Sequence, residues 1–274
     1  MNLKQSILLG LLQGVAEFLP ISSSGHIELL KGAMGLEGVP LLLETFLHLG
    51  TLLVVCVMYC KRIFRMLRHP IKSDLKWLIV ATLPTVAAVL LLGDTLDTLF
   101  GGWHLGVCFL ITCVVLLVGE AGHMMHDEKH KKVNCFDALA MGLMQALAII
   151  PGVSRLGCTI TGGLCTGLTR RRAVDFSFLM SIPAVLGSLA LNLKDIYDQA
   201  QAAGTTFSFQ FSQGIQALGG YTPVLVCVLT AAAVGFASIS LCRLIIRKFG
   251  LKIFAFYTGA LGLILIARHL LGAG

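Results

Sequence analysis

In a chain of 274 residues, 56% are hydrophobic and 13% are charged, and the mean hydropathy is +0.87. That is about half the charge of an ordinary soluble domain, which excludes a water-exposed globule and points to lipid. A net charge of +7 would suit nucleic acid, but Lys and Arg cluster between apolar segments rather than along one amphipathic face, so membrane topology accounts for them and no nucleic-acid partner is expected.

The first 38 residues are apolar but broken near their middle at Pro20–Gly25, the run PISSSG. The opening MNLKQSILLG has one lysine before its apolar stretch, yet cleavage there as a signal peptide would cut into Gln13–His26. A span is expected at 40–60, followed by a basic loop at 61–76 with Lys61, Arg62, Arg65, Arg68, Lys72 and Lys76. Two more spans, at 76–93 and 103–122, flank a short loop at 94–102 that has Asp94 and Asp97 and no basic residue. A second broken apolar segment covers 135–168, with its interruption at Pro151–Gly157, the run PGVSRLG. Spans at 173–193, 221–241 and 250–272 complete the chain. Each span meets the requirement of about 20 apolar residues for a 30 Å hydrocarbon core. The nine cysteines lie mostly inside these runs, without CxxC pairs, as small hydrophobes.

A break at membrane depth is tolerated only where protein or a water-filled cavity satisfies the freed backbone groups, so both broken segments are expected to be re-entrant helical hairpins. Lys129, Lys131 and Lys132 precede the second hairpin, Arg170, Arg171 and Arg172 follow it, and Arg243, Arg247, Lys248 and Lys252 separate the last two spans. Counting spans places these groups on the side of the 61–76 loop, which the positive-inside rule makes cytoplasmic. The first hairpin then enters from outside and the second from inside. A shift of 132 residues lays Gly10, Leu11, Gln13, Ala16, Ser22 and Gly25 on Gly142, Leu143, Gln145, Ala148, Ser154 and Gly157. An inverted repeat with a broken segment in each half, about 1–134 and 135–274, predicts a site where the two breaks meet. The expected fold is a single all-α polytopic membrane domain of six transmembrane helices plus two opposed re-entrant hairpins.

The polar residues at the breaks carry the chemistry. Gln13 and Glu17 are four apart and share a helix face. A carboxylate at that depth costs about 2.5 to 3.5 kcal/mol on insertion scales and is a functional candidate, or else the partner of Arg155. Ser22, Ser23, Ser24, Gly25 and His26 supply hydroxyls, a permissive backbone and one imidazole beside a helix start, suited either to anion binding or to capping. Arg155, at the repeat position of Ser23, needs an anion, either a phosphate matched to its planar fork or Glu17. Glu44 and His48 share a face of a span, while His123, His126 and His130 sit in a charged stretch, HMMHDEKH, that reads as a solvated loop.

The stretches QGVAEFLPISSSGH and PGVSRLGCT resemble the two signature motifs of the undecaprenyl-diphosphatase, or bacitracin-resistance, family, and ETFLHLGTL and DFSFLMSIPAVLG resemble further family segments. The resemblance covers essentially the whole chain. It implies a phosphatase of the bacterial plasma membrane that converts undecaprenyl diphosphate to the monophosphate, with its site open to the external face. Gln13 and Glu17 would be the pair linked to Mg²⁺ or Ca²⁺. Ser23, His26 and Glu17 would be catalytic, with either Ser23 or His26 as nucleophile and His26 as general base in the first case. Ser22, Ser24, Gly25, Ser154, Arg155 and Thr159 would hold the substrate. The implied partners are the polyprenyl diphosphate and membrane lipid, and a homodimer is compatible with the sequence. Leu156 and Cys158 depart from the usual serine and alanine of the second motif. A carrier of polyprenyl phosphate or another anionic lipid is the rival reading, since opposed hairpins are also a transporter architecture.

Overall fold

A computed structural model describes residues 1–36, 42–96, 103–125 and 132–272, without side chains at 93–96 and 103. Twelve helices are seen among the described residues: α1 (Leu3–Ala16), α2 (Ser23–Ala33), α3 (Leu42–Met58), α4 (Cys60–Arg68), α5 (Leu75–Leu96), α6 (Trp103–Met125), α7 (Cys135–Leu147), α8 (Arg155–Cys165), α9 (Arg170–Ala202), α10 (Phe207–Ala217), α11 (Tyr221–Phe249) and α12 (Lys252–Leu270). Five are long and apolar enough to cross a membrane, and α3 with α4 makes a sixth if the pair, bent by 74°, is one span. The chain is therefore a multi-pass, all-α membrane protein. Most of the 94–102 loop, with His126, Lys129, His130 and Lys131, lies outside the described residues.

Both broken segments are helix–break–helix units, α1 with α2 and α7 with α8. Met1 packs at Gly219, and Lys31 pairs with Glu44 at the start of α3, so the first hairpin enters and leaves at the end of the bundle where α3 and α11 begin. The second hairpin enters from the other end, where Cys165 lies beside Gly122 at the end of α6. The tips meet inside the bundle, where the Gly152 amide donates to Ser24 Oγ at 3.2 Å.

Small residues permit this convergence. A Cβ on Gly10 would come within 2.6 Å of the Cys227 carbonyl oxygen, and one on Gly14 within 2.7 Å of that of Ala231, so α1 lies backbone to backbone on α11. Gly142 brings α7 equally close to Ala81 of α5. Helices in lipid associate largely through such close approach. Under the 132-residue shift α1 falls on α7 and Ser22 on Ser154. The packing repeats accordingly: each hairpin lays its first arm on a long span, and both serines cap the second arm, accepting from the amides of Gly25 and Gly157.

The basic segments gather at one end of the bundle. Arg62 pairs with Asp74 at 2.6 Å and Arg170 with Glu120 at 2.6 Å. Arg243 reaches Asp175 at 2.9 Å and also holds the hydroxyl of Tyr59. Glu120 in addition accepts from the Leu251 amide at the turn between α11 and α12.

Three elements differ from the sequence expectation. Part of the 61–76 loop is the helix α4, whose Met66 is buried in the core while Lys61 and Arg65 face outward; its apolar periodicity is masked by charge density. Helix α10, FSFQFSQGIQA, was not expected, because five glutamine and serine side chains interrupt a short apolar pattern. At 33 residues, α9 is also longer than the expected 173–193, about 50 Å against a core of about 30 Å.

Candidate active site

The breaks set the geometry. After α1 ends, Glu17–Ile21 turns back, and Ser22 adopts φ +71°, the only positive φ at a non-glycine position among the described residues. Such backbone costs of order 1 to 3 kcal/mol and persists only where its surroundings over-determine it. Here Ser22 is fixed by capping Gly25 and by its carbonyl, which accepts from His26 Nδ1 at 2.7 Å. Ser22, held this way, starts α2 at Ser23 at the point where α8 starts at Arg155. Two helix N-termini, each a partial positive charge, face one junction.

Glu17 is the hub of that junction and is 7% exposed. One carboxylate oxygen is ion-paired with Arg155 Nη2. The other accepts from Ser23 Oγ at 2.6 Å and from Gln13 Nε2 at 3.1 Å, and lies 3.5 Å from His48 Nδ1. Gln13 also contacts His48 Nδ1 at 3.2 Å. Arg155 thus reaches Glu17 across 138 positions of sequence, the counter-ion arrangement foreseen as the alternative to phosphate. Its second terminal nitrogen, Nη1, is buried and has no hydrogen-bond partner among the described residues. A buried guanidinium nitrogen at two helix N-termini is a donor of the kind that suits an anionic oxygen.

The other expected residues sort by what they touch. Ser24 Oγ lies 3.4 Å from Ser22 Oγ and joins the hairpins through Gly152. Gly25 gives room for Phe109, whose ring a Cβ would meet at 2.8 Å. Ser154, 2% exposed, caps α8, and its amide donates to Thr112 Oγ1 at 3.0 Å. Thr159, one helical turn beyond Arg155, is 1% exposed, and its hydroxyl bonds back to the carbonyls of Arg155 and Leu156 and contacts Ser177 on α9. Ser23 is turned to Glu17, and His26 Nε2 lies 2.7 Å from Tyr257 Oη.

Sequence reasoning missed Tyr257. Its only local signal is a polar tip on an apolar span, and α12 lies 231 residues from His26. Glu44 stands apart from the hub, paired with Lys31 at 3.3 Å. Beneath the hub, Phe18, Leu52, Val55, Leu156, Phe178 and Val185 enclose Glu17 and Arg155 together with the hydroxyls of Thr51, Ser177 and Ser181. Leu156 therefore adds to an apolar wall that excludes water, where the usual serine would add a hydroxyl.

Among the described residues no three His, Cys, Asp or Glu side chains are placed to hold a metal ion. Glu17, Gln13 and His48 are instead the donors a divalent cation would find. One carboxylate with neutral ligands suits an ion whose remaining positions are filled by water and substrate phosphates, as Mg²⁺ commonly binds.

The fold and site define a class: a polytopic membrane protein whose two opposed hairpins bring a serine, a carboxylate and an arginine together at the N-termini of two helices. The profile of the family described as "Bacitracin resistance protein BacA" matches residues 6–264, and the chain belongs to that family. It is similar to the undecaprenyl-diphosphatase of Methanosphaera stadtmanae, 35% identical over 289 residues that cover 97% of this chain and 98% of the relative. It is equally similar to the undecaprenyl-diphosphatase of Carboxydothermus hydrogenoformans, 35% identical over 274 residues with 99% of both chains covered. Undecaprenyl-diphosphatase 4 of Bacillus thuringiensis strain Al Hakam is 34% identical over 267 residues, covering 97% of each.

Proposed function

We propose that the chain hydrolyses undecaprenyl diphosphate, or a closely similar polyprenyl diphosphate, to the monophosphate and inorganic phosphate. The observation that carries this reading is the Ser23–Glu17–Arg155 arrangement: a hydroxyl on a carboxylate, beside a guanidinium with one buried donor unused. Phosphoryl transfer depends mainly on positioning and on charge stabilisation of the transferring group.

The terminal phosphate enters at the N-termini of α2 and α8 and takes Arg155 Nη1. Ser23 Oγ attacks phosphorus and its proton passes to Glu17 Oε2. The bridging oxygen leaves with the polyprenyl monophosphate, and water then hydrolyses the phosphoserine to release phosphate and return the serine. A phosphate oxygen that drew Arg155 away from Glu17 would leave that carboxylate more basic at the moment it receives the proton. A Mg²⁺ or Ca²⁺ ion on Glu17, Gln13 and His48 would neutralise charge on the diphosphate. Glu17→Gln should lower turnover at least about tenfold, or about 1.4 kcal/mol of barrier, and blunt the response to added divalent cation. An unchanged metal titration in that variant would remove Glu17 from the ligand set.

The opposed hairpins equally suit a carrier, but a carrier needs no hydroxyl held on a carboxylate. Release of inorganic phosphate from polyprenyl diphosphate by the purified protein separates the two readings, since a carrier releases none. We further place the protein in the plasma membrane with the end bearing Arg62, Arg170 and Arg243 in the cytoplasm and the first hairpin opening outward. Single cysteines introduced at 61–76, on a background without the nine native ones, should then resist labelling by impermeant maleimide in intact cells and react after lysis. Labelling from outside would invert the topology.

A further inference from the structure

His26 stands one turn along α2 from Ser23, and its ring is fixed on three sides. Nδ1 lies 2.7 Å from the Ser22 carbonyl oxygen, which can only accept, so in the neutral imidazole Nδ1 carries the proton. Nε2 then presents a lone pair, and the group 2.7 Å away is the Tyr257 hydroxyl, which donates to it. Phe109 of α6 meets the imidazole edge-on, with centroids 5.1 Å apart at 85°, and the Tyr257 ring lies 5.6 Å away at 12°. Tyr257 is 45% exposed while His26 is 8% exposed, so the tyrosine lies at the edge of the bundle with its hydroxyl turned inward to the histidine. It belongs to neither hairpin and to neither motif. Its hydroxyl joins α12 to His26 at the junction, and a purely apolar span would pack on α6 without it.

We propose that Tyr257 is a positioning residue for the phosphatase reaction: its hydroxyl holds His26 as the Nδ1–H tautomer, ring plane fixed, with the Nε2 lone pair directed into the site. The inference rests on the phosphatase reading. Glu17 already contacts Ser23, which leaves His26 for the second half of the reaction. There a water donates to Nε2 in place of the tyrosine, an exchange of one donor for another. The water oxygen bonds to phosphorus as its proton passes to Nε2, the bond from phosphorus to Ser23 Oγ breaks, and Ser23 recovers its proton from Glu17.

Tyr257→Phe keeps the ring and its packing and removes only the hydroxyl. In lipid nanodiscs, ¹⁵N shifts of histidine-labelled protein, with His26 assigned by comparison with His26→Gln, should show a single Nδ1–H tautomer in the parent chain and a mixture in Tyr257→Phe. Phosphate release should fall about tenfold in kcat with KM within about twofold. Adding Tyr257→Phe to His26→Ala should cause no further loss, since the tyrosine acts only through the histidine. An unchanged tautomer, undiminished turnover, or a loss that multiplies fully with that of His26→Ala would each overturn the proposal. A parent protein that releases no phosphate would sink the phosphatase reading instead, and the tautomer measurement would still decide the role of the hydroxyl.

Discussion

Ser23→Ala should lower phosphate release by about a thousandfold or more, a rise of about 4 kcal/mol in the barrier. The Ser23 hydroxyl is the group that Glu17 holds at 2.6 Å at the start of α2, and alanine removes the atom that would bond to phosphorus. The fold should survive, because Ser22 and not Ser23 caps α2 and forms the strained turn. The check is release of phosphate from polyprenyl diphosphate by the detergent-purified variant, together with trapping of labelled phosphate on the parent chain at short times. If the alanine variant kept more than about a tenth of the activity, attack would belong to His26 or to water, and Ser23 would be reduced to a hydrogen-bond donor for Glu17.

Arg155→Lys separates the two readings of the arginine that the sequence left open. As a counter-ion to Glu17, lysine should serve nearly as well, because a single ammonium satisfies one carboxylate. As a clamp that reaches Glu17 through Nη2 and the substrate through Nη1, the planar fork has no substitute in lysine. The expected loss in kcat/KM is about 2 to 3 kcal/mol, roughly 30- to 150-fold. It should appear with the variant still folded, since lysine keeps a cation beside the buried carboxylate. Near-parental kinetics would leave Arg155 as a structural partner of Glu17 and would move the search for the diphosphate-binding cation elsewhere.

Several parts of the site were legible in the chain itself. Pro, Gly and Ser in the middle of two apolar segments disclosed both breaks, because a helix cannot pass through them at membrane depth without finding other partners for its backbone. The four-residue spacing of Gln13 and Glu17 placed both on one face, and they are hydrogen-bonded at 3.1 Å. Local spacing did not supply the partners of other polar residues: the Thr159 hydroxyl lies on Ser177 of α9. Ser23 and His26, near in sequence, are held by different partners, Glu17 and Tyr257.

The amino-acid sequence by itself determined the membrane class, the two hairpins and the end of the bundle at which the basic segments gather. These follow from composition, from short-range helical periodicity and from charge in the connections, none of which needs a distant residue. Only the tertiary structure decided the pairings of the site: Arg155 with Glu17 across 138 positions, Tyr257 with His26 across 231, and His48 with Gln13 across 35. Those contacts depend on how closely α1 lies on α11 and α7 on α5, a matter of glycine surfaces meeting partner backbones, and helical spacing along one segment carries no information about which other segment will fill the space beside it.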